Sequence, residues 1–196
     1  LFIYPSLRPI DDVIPITLKE RPLASGLILG DPEAPVVIEV FEDFQCPACR
    51  RFTEKIEPQV VETYINTGLA QLIYRHNPFI GQESFQASNA SMCANEQGRF
   101  WDYHDILFTN QTGENIGAFS DRRLEAFAET ITLDMTAFNA CFRGNDYKDE
   151  INDDLARGRK YGVRATPTVV INGQPQPDFA FATIQNAVEF ALATSE

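Results

Sequence analysis

The chain has 196 residues, of which 44% are hydrophobic and 22% are charged. This composition is typical of one folded globular body, and it excludes a disordered, collagen-like or low-complexity chain. There are 16 Lys and Arg against 28 Asp and Glu, a formal net charge of −12. Such a charge repels phosphate backbones and anionic membrane surfaces, so we expect no nucleic acid partner.

The first 34 residues predict an extended N-terminal arm. They contain five prolines, and only Gly26–Leu29 has the character of a short strand. Because the chain begins with Leu1 rather than Met, we expect a mature or trimmed chain. Residues 1–4 are either the remnant of a removed signal or anchor or a plain tail, and four residues do not decide between these.

A strand, a turn and a helix follow the arm. Val36–Phe41 is a run of β-branched and aromatic residues, which is typical of a buried central strand. Pro47 suits the first turn of a helix, and apolar residues then recur every four positions over residues 52–64. We expect Pro58 to kink this helix and a second strand to follow at about residues 70–74. The pattern predicts a β-α-β unit with parallel strands.

Residues 82–160 predict helices without a clear strand, because apolar residues recur at helical spacing. We expect one or two helices broken near Gly98, followed by helices over residues 123–128, 135–142 and 146–159. After this block, Thr168–Asn172 predicts a strand and Asn172-Gly173 a hairpin turn. Phe179–Phe181 is the expected partner strand, and a final helix with one apolar face follows it.

The order of these elements predicts an α/β protein, namely a thioredoxin fold with an all-helical insertion between its β-α-β and β-β-α halves. We assign residues 1–34 to an N-terminal arm with a short strand. Residues 35–80 and 161–196 form the thioredoxin-like domain in this interpretation. Residues 81–160 form the helical insertion.

Two of the four cysteines stand at the predicted start of a helix, in the sequence Cys46-Pro47-Ala48-Cys49. Unpaired backbone N–H groups and the helix dipole favour the thiolate of Cys46 at this position. Cys49 lies one turn further in, where it is shielded and can attack a mixed disulfide on Cys46. We therefore predict that Cys46 is the nucleophile and Cys49 the resolving thiol. The alternative from the residues alone is an inert disulfide clip.

A metal site is not expected. Cys93 and Cys141 lie 48 residues apart, and neither histidine stands at ligand spacing from Cys46 and Cys49. The acidic residues between 146 and 154 predict a solvated helix face, with calcium as a weak alternative. We expect no cofactor other than a redox-active Cys46–Cys49 disulfide.

Thr166-Pro167 opens the β-rich run near the end of the chain. Taken alone, such a proline often only begins an edge strand. Beside a C-x-x-C helix in this fold, we expect a cis bond before Pro167 that faces Cys46 and leaves the backbone of Thr166 free to pair with an extended substrate. The Thr166 hydroxyl is then expected beside the Cys46 sulfur, where it lowers the pKa of that thiol.

Together these motifs resemble the DsbA-like family of extracytoplasmic thiol-disulfide oxidoreductases, in the branch that includes the BdbD-like proteins. The segments that carry the resemblance are residues 30–36, 43–49, 75–78, 93–101, 104–108 and 162–168.

The resemblance implies a nucleophilic Cys46, a cis-Pro167 and a disulfide oxidoreductase that donates its Cys46–Cys49 disulfide to reduced or unfolded secreted polypeptides. It also implies reoxidation by a membrane partner of the DsbB or vitamin K epoxide reductase type. We expect a monomer in the periplasm or on the exterior of the cell envelope, with anchoring of the full-length protein left open.

This chain departs from the family pattern at two positions of the site. Many relatives carry an acid six residues before the first cysteine, where this chain has Val40. The acids nearby are Glu39, Glu42 and Asp43, and alternation in the strand places Glu39 on the face opposite to Val40. The proton acceptor for Cys49 is therefore left open. The active-site dipeptide is Pro47-Ala48, so no imidazolium supports the Cys46 thiolate.

Two further matters stay open at this point. Cys93 and Cys141 form a second disulfide in some relatives, and here the alternative is two buried free thiols. For the function, the alternatives are a disulfide isomerase or reductase, and a non-catalytic, chaperone-like peptide-binding module of the same fold.

Overall fold

The computed structural model describes residues 12–21 and 23–194. Residues 1–11, which include the expected signal or anchor remnant, lie outside the described residues, as do residue 22 and residues 195–196. In the part of the chain that the structure describes, none of the helices combines the length and apolar character needed to span a bilayer.

A six-stranded mixed sheet runs through the described residues in the order β1-β2-β4-β3-β5-β6. Its strands are β1 (Ala24–Ser25), β2 (Ile28–Leu29), β3 (Val36–Glu42), β4 (Ala70–His76), β5 (Thr168–Ile171) and β6 (Gln174–Pro175). β3 and β4 are parallel, with Val36 opposite Ala70 and Glu42 opposite His76. β3 lies between β4 and antiparallel β5, and its first residue Val36 is fully buried. The predicted β-α-β unit is therefore present.

The helices lie around this sheet. They are α1 (Pro47–Lys55), α2 (Glu57–Val60), α3 (Gln82–Asn95), α4 (Phe100–Thr109), α5 (Asp121–Thr130), α6 (Met135–Gly144), α7 (Lys148–Lys160) and α8 (Phe181–Thr194). A π-helical turn, Val61–Ile65, continues α2. The first helix is interrupted at Ile56, two residues before Pro58, because proline has no N–H to donate to the preceding turn.

The helical block between β4 and β5 matches the prediction in kind: its described residues form α3 to α7 and no strand. A disulfide joins Cys93 of α3 to Cys141 of α6. The architecture is the thioredoxin fold with a helical insertion that the sequence predicted. The exact division into arm, domain and insertion stays our prediction, and the order of elements agrees with it.

The predicted partner strand at Phe179–Phe181 is wrong. β6 is Gln174–Pro175, and Phe181 instead begins α8. The reason is the turn: Asn172 and Gly173 both have positive φ, 46° and 80°, so the chain reverses within two residues and Gln174 pairs at once with Ile171. In the arm, the single strand expected at Gly26–Leu29 is a small hairpin formed by β1 and β2.

Candidate active site

Cys46 is the N-cap residue of α1, and Pro47 follows in the first turn. Both Cys46 and Cys49 are free thiols in the structure. Cys46 retains 8% of its accessible surface and Cys49 none. The two thiols therefore differ in access: a partner can reach Cys46, whereas Cys49 lies beneath it.

The two thiols also differ in acidity. A hydrogen bond from the Cys49 thiol is the main reason that the pKa of Cys46 is lowered to about 6; the Thr166 side chain and the backbone N–H groups at the helix start add to this, against the effect of burial. Burial, followed by the same thiol–thiol hydrogen bond and the charge of Glu42, raises the pKa of Cys49 well above its ordinary value. At neutral pH the outer sulfur is a thiolate and the inner sulfur keeps its proton.

Thr166 and Pro167 face the outer cysteine. The peptide bond between them is cis, and the Cys46 sulfur lies 3.3 Å from the Thr166 carbonyl oxygen, to which it donates when it is protonated. The Thr166 hydroxyl is buried and has no partner of its own among the described residues, so it is available to a sulfur that has lost its proton. It favours the thiolate form of both sulfurs, which helps to lower the pKa of Cys46 and offsets a small part of the rise in the pKa of Cys49. The structure thus brings together Cys46, Cys49 and Thr166, which are 120 positions apart in sequence at most.

A carboxylate and an amide hold the turn that leads into α1. Asp43 is fully buried and accepts hydrogen bonds from the N–H groups of Gln45, Phe79 and Ile80 at 2.8 to 3.1 Å. The Gln45 side chain donates to the Ser84 hydroxyl and accepts from the backbone N–H of Asn115. These bonds fix the loops on either side of the active site against the start of α1.

Gln111, two residues after the end of α4, connects the insertion to the same turn. Its side-chain amide donates to the carbonyl oxygens of Phe44 at 2.7 Å and of Cys46 at 3.0 Å. The backbone carbonyl oxygen of Gln111 accepts a hydrogen bond from the Arg50 side chain, which also pairs with Glu54. Arg50 is therefore occupied by these contacts.

Glu42 is an acid whose charge acts on the inner thiol, Cys49. It lies two residues beyond Val40, so the two side chains project from the same face of β3. Glu42 is 1% exposed, and its Oε2 makes no hydrogen bond in the described part of the chain. Burial first, then the charges of Glu57 and Cys46, raises its pKa well above the ordinary value.

Comparisons with known proteins agree with this geometry. A family model described as Thioredoxin matches residues 24–189. The probable disulfide bond formation protein D of Bacillus cereus is 32% identical over 156 residues, which is 77% of this chain and 72% of that protein. The chain belongs to the DsbA-like branch of the thioredoxin family. It is accordingly a thiol-disulfide oxidoreductase.

Solved structures place this DsbA-like chain in the same group. The crystal structure of oxidised BdbD from Bacillus subtilis matches with a TM-score of 0.80 and 25% identity, over 86% of this chain and 94% of that one. Wolbachia pipientis alpha-DsbA1 matches with a TM-score of 0.75 at 24% identity, over 86% of this chain and 92% of its own, and shows the shared fold.

Within this DsbA-like site, the motif residues were visible in the sequence and the supporting residues were not. Asp43, Gln45 and Gln111 act through contacts with segments up to 70 positions away, which no local pattern indicates. Among the residues that the structure describes, no three His, Cys, Asp or Glu side chains are grouped to hold a metal ion. The buried Asp154 of the acidic helix bonds Arg75 and the N–H of His76.

Proposed function

We propose that this oxidoreductase donates the Cys46–Cys49 disulfide to reduced polypeptides outside the cytoplasm and is then reoxidised by a membrane partner. One observation carries the proposal. The accessible sulfur of Cys46 has a pKa lowered to about 6, whereas burial raises the pKa of Cys49 well above its ordinary value. Stabilising the Cys46 thiolate favours the reduced state of the protein, and a protein that favours its own reduced state oxidises others.

The reaction proceeds in two exchanges. A substrate thiolate attacks the Cys46 sulfur, the Cys46–Cys49 bond breaks, and Cys49 leaves and takes up a proton. A second substrate thiolate then attacks the substrate sulfur of the mixed disulfide and releases the Cys46 thiolate. Two substrate thiols become one disulfide, and the two electrons reside in the Cys46–Cys49 dithiol.

The size of the effect depends on pH. With a pKa of about 6 in place of 9.0, the Cys46 thiolate stabilises the reduced form at pH 7 by about 1.4 kcal/mol, or about 30 mV for a two-electron couple. The full three-unit difference, about 4 kcal/mol, is reached only above the ordinary pKa of a thiol. The thiolate alone thus moves the potential part of the way from a thioredoxin-like reductant toward an oxidant.

Glu42 is the proposed proton partner of Cys49. Because burial raises its pKa, Glu42 holds a proton to a higher pH than an ordinary carboxyl group, and when it is ionised its charge raises the pKa of Cys49. In substrate oxidation, Glu42 supplies the proton that the departing Cys49 sulfur takes up; in reoxidation it accepts that proton back. It occupies the role that relatives give to an acid at the position of Val40.

The rim of the site suits unfolded substrates. The exposed side chains of Phe79 and Ile116, 56% and 47% accessible, project from the loops that Asp43 and Gln45 hold beside α1. Exposed apolar groups at this place can contact the apolar segments of an unfolded chain. The backbone of Thr166 lies against the Cys46 sulfur, where an extended cysteine-bearing segment would pair with it.

The reduction potential of the Cys46–Cys49 couple tests this proposal. Equilibration with glutathione at pH 7 should give a value above about −200 mV, the range of isomerases and oxidants. A Cys46→Ser variant, which has no couple, serves as the control for the Cys93–Cys141 disulfide. A potential near −270 mV, the thioredoxin level, would show a reductase and overturn the donor function.

A further inference from the structure

A second set of buried titratable groups lies near the active-site acid, outside the groups used above. His104 of α4 is fully buried, and its Nε2 lies 3.8 Å from Oε2 of Glu57, a residue of α2 that is 6% exposed. Nδ1 of His104 lies 3.1 Å from Oδ1 of the next residue, Asp105. We refer to Glu57, His104 and Asp105 as the α2–α4 cluster.

The α2–α4 cluster is coupled to Glu42 on its inner side. The charge of Glu57 raises the pKa of Glu42, and burial raises the pKa of Glu57 itself. Tyr74 interacts with both Glu42 and the α2–α4 cluster. The centroid of its ring lies 5.5 Å from that of His104, and the charge of Glu42 raises the pKa of its hydroxyl, after the larger effect of burial.

Several polar atoms in this region are buried without hydrogen bonds among the described residues. They are Oε2 of Glu42, the hydroxyl of Tyr74, both ring nitrogens of His76 and Nε2 of His104. Buried polar groups that no protein atom satisfies are commonly bridged by internal water. Water here would complete a hydrogen-bonded path from Glu42 to the α2–α4 cluster.

The outer side of the cluster meets the N-terminal arm at the surface. Oδ2 of Asp105 pairs with Lys19 at 3.1 Å and with Arg21 at 2.9 Å, and the Lys19 side chain is 63% exposed. Although burial opposes ionisation, the hydrogen bond to His104 and the charges of His104 and Arg21 lower the pKa of Asp105. Glu57 also lines a surface cleft between α2 and arm residues 19–21, 23 and 24.

We propose that the α2–α4 cluster carries protons between Glu42 and solvent in each redox cycle, with His104 as the shuttling group. The proposal rests on the function proposed above. In reoxidation, Cys49 gives its proton to Glu42 and attacks the Cys46 sulfur of the mixed disulfide. The Cys46–Cys49 bond forms, and the sulfur of the oxidant leaves with the electron pair as a thiolate. The proton then passes through internal water to Glu57 and Nε2 of His104, and leaves at the cleft beside the arm. Substrate oxidation runs the same path inward.

Titratable and charged groups of several elements surround His104 in the described part of the chain. Glu57 of α2 and Asp105 of α4 lie beside its ring nitrogens, and Tyr74 and His76 of β4 interact with its ring. Lys19 and Arg21 of the arm pair with Asp105, and the charge of Glu57 acts on Glu42 of β3. Burial lowers the pKa of His76 to about 3, so His76 stays neutral and does not shuttle protons.

Kinetics of reoxidation by oxidised glutathione test the shuttle. The first step, attack by the Cys46 thiolate, needs no proton transfer inside the protein. The second step, attack by Cys49, requires that Cys49 first give its proton to Glu42 and the path beyond it. We expect His104→Gln and Glu57→Gln to slow the second step about tenfold, so that the glutathione mixed disulfide accumulates, while the first step keeps its rate. Asp102→Asn, which removes a carboxylate of the same helix that pairs with Arg99, is the matched control.

Each other outcome overturns the shuttle. An unchanged second step would show that protons leave by another route. Slowing of both steps by one factor would show a general structural role for the cluster. Failure of native Cys46 to react with glutathione at all would instead contradict the proposed function, and so the two failures are distinguishable.

Discussion

Glu39 and Glu42 lie three residues apart on β3, and with 3% and 1% exposure both are hidden from solvent. They project from opposite faces of the strand. Glu39 accepts hydrogen bonds from Arg75 and Arg157, whose contacts overcome the effect of burial and lower its pKa. No cation of the residues that the structure describes pairs with Glu42, and burial raises its pKa. The sheet thus separates a side where charge is fixed by arginines from a side where a proton can move.

The largest expected effect concerns the thiols on the Glu42 side. Cys46→Ser should abolish dithiol oxidation, because no other exposed sulfur can form the mixed disulfide. Cys49→Ser should leave long-lived mixed disulfides on Cys46, since the resolving thiol is gone. Non-reducing electrophoresis after mixing with a reduced substrate protein measures both results.

A double variant, Cys93→Ser with Cys141→Ser, is the control for these substitutions. It should keep oxidation activity and lose about 2–4 kcal/mol of stability, because the loop that the disulfide closes becomes free in the unfolded state. If alkylation of the reduced native protein at mildly acidic pH labelled Cys49 before Cys46, the assigned roles would be reversed.

Glu42→Gln removes the proton partner and should slow the attack of Cys49 by about ten- to a hundredfold in stopped-flow reoxidation. The raised pKa of Glu42 contributes stability that is fully present below pH 4.5 and is lost as pH rises toward that raised pKa. The variant should therefore be more stable than the native protein at pH 7, and this difference should vanish near pH 4. Glu62→Gln, an exposed acid of the π turn, is the control.

Glu39→Gln tests the opposite side of the sheet. It should reduce the free energy of unfolding by about 2–3 kcal/mol in urea titrations, because two arginines lose a buried counter-charge, and it should leave the reduction potential unchanged. The lowered pKa of Glu39 gives stability that is present above pH 4.5 and is lost as pH falls through that lowered value, so the deficit should shrink in acid.

Glu54→Gln is the matched control for Glu39→Gln, because Glu54 also pairs with an arginine but is 44% exposed. Its loss should cost less than about 1 kcal/mol. Equal losses at the two positions would mean that burial adds nothing to the pairing of Glu39, and the contrast between the two faces of β3 would fail.

The smallest effect is expected from Thr166→Val, which keeps the shape of the side chain and removes the hydroxyl. The pKa of Cys46 should rise from about 6 by about one unit, measured by thiolate absorbance. Because the reduced state is then less stabilised, the potential at pH 7 should fall by about 20–30 mV. Thr168→Val, whose hydroxyl donates to the Ala165 carbonyl instead, is the control. An unchanged titration would assign the tuning to the helix start and Cys49 alone.

Sequence patterns predicted those parts of the molecule that local physics determines. The β-branched and aromatic run indicated β3, helical spacing indicated the helical insertion, and the C-x-x-C at a helix start indicated the chemistry. Phe179–Phe181 was misplaced because apolar residues alone do not show how soon a chain pairs after a tight turn. Glu42 was among the acids near Cys49 in the sequence, but its burial depends on tertiary packing, which no pattern in β3 reveals.

The two hydrogen bonds of Gln111 to the Phe44 and Cys46 carbonyls make the helical insertion part of the active-site turn. A designer who cut residues 81–160 out of this chain to obtain a minimal thioredoxin would remove the side-chain donor of the Phe44 carbonyl and leave the Cys46 carbonyl with the backbone N–H of Arg50 as its donor. Chimeras that exchange insertions between relatives face the same constraint. Such grafts should be chosen by whether the incoming segment carries an amide that can replace Gln111, before any choice is made on substrate range.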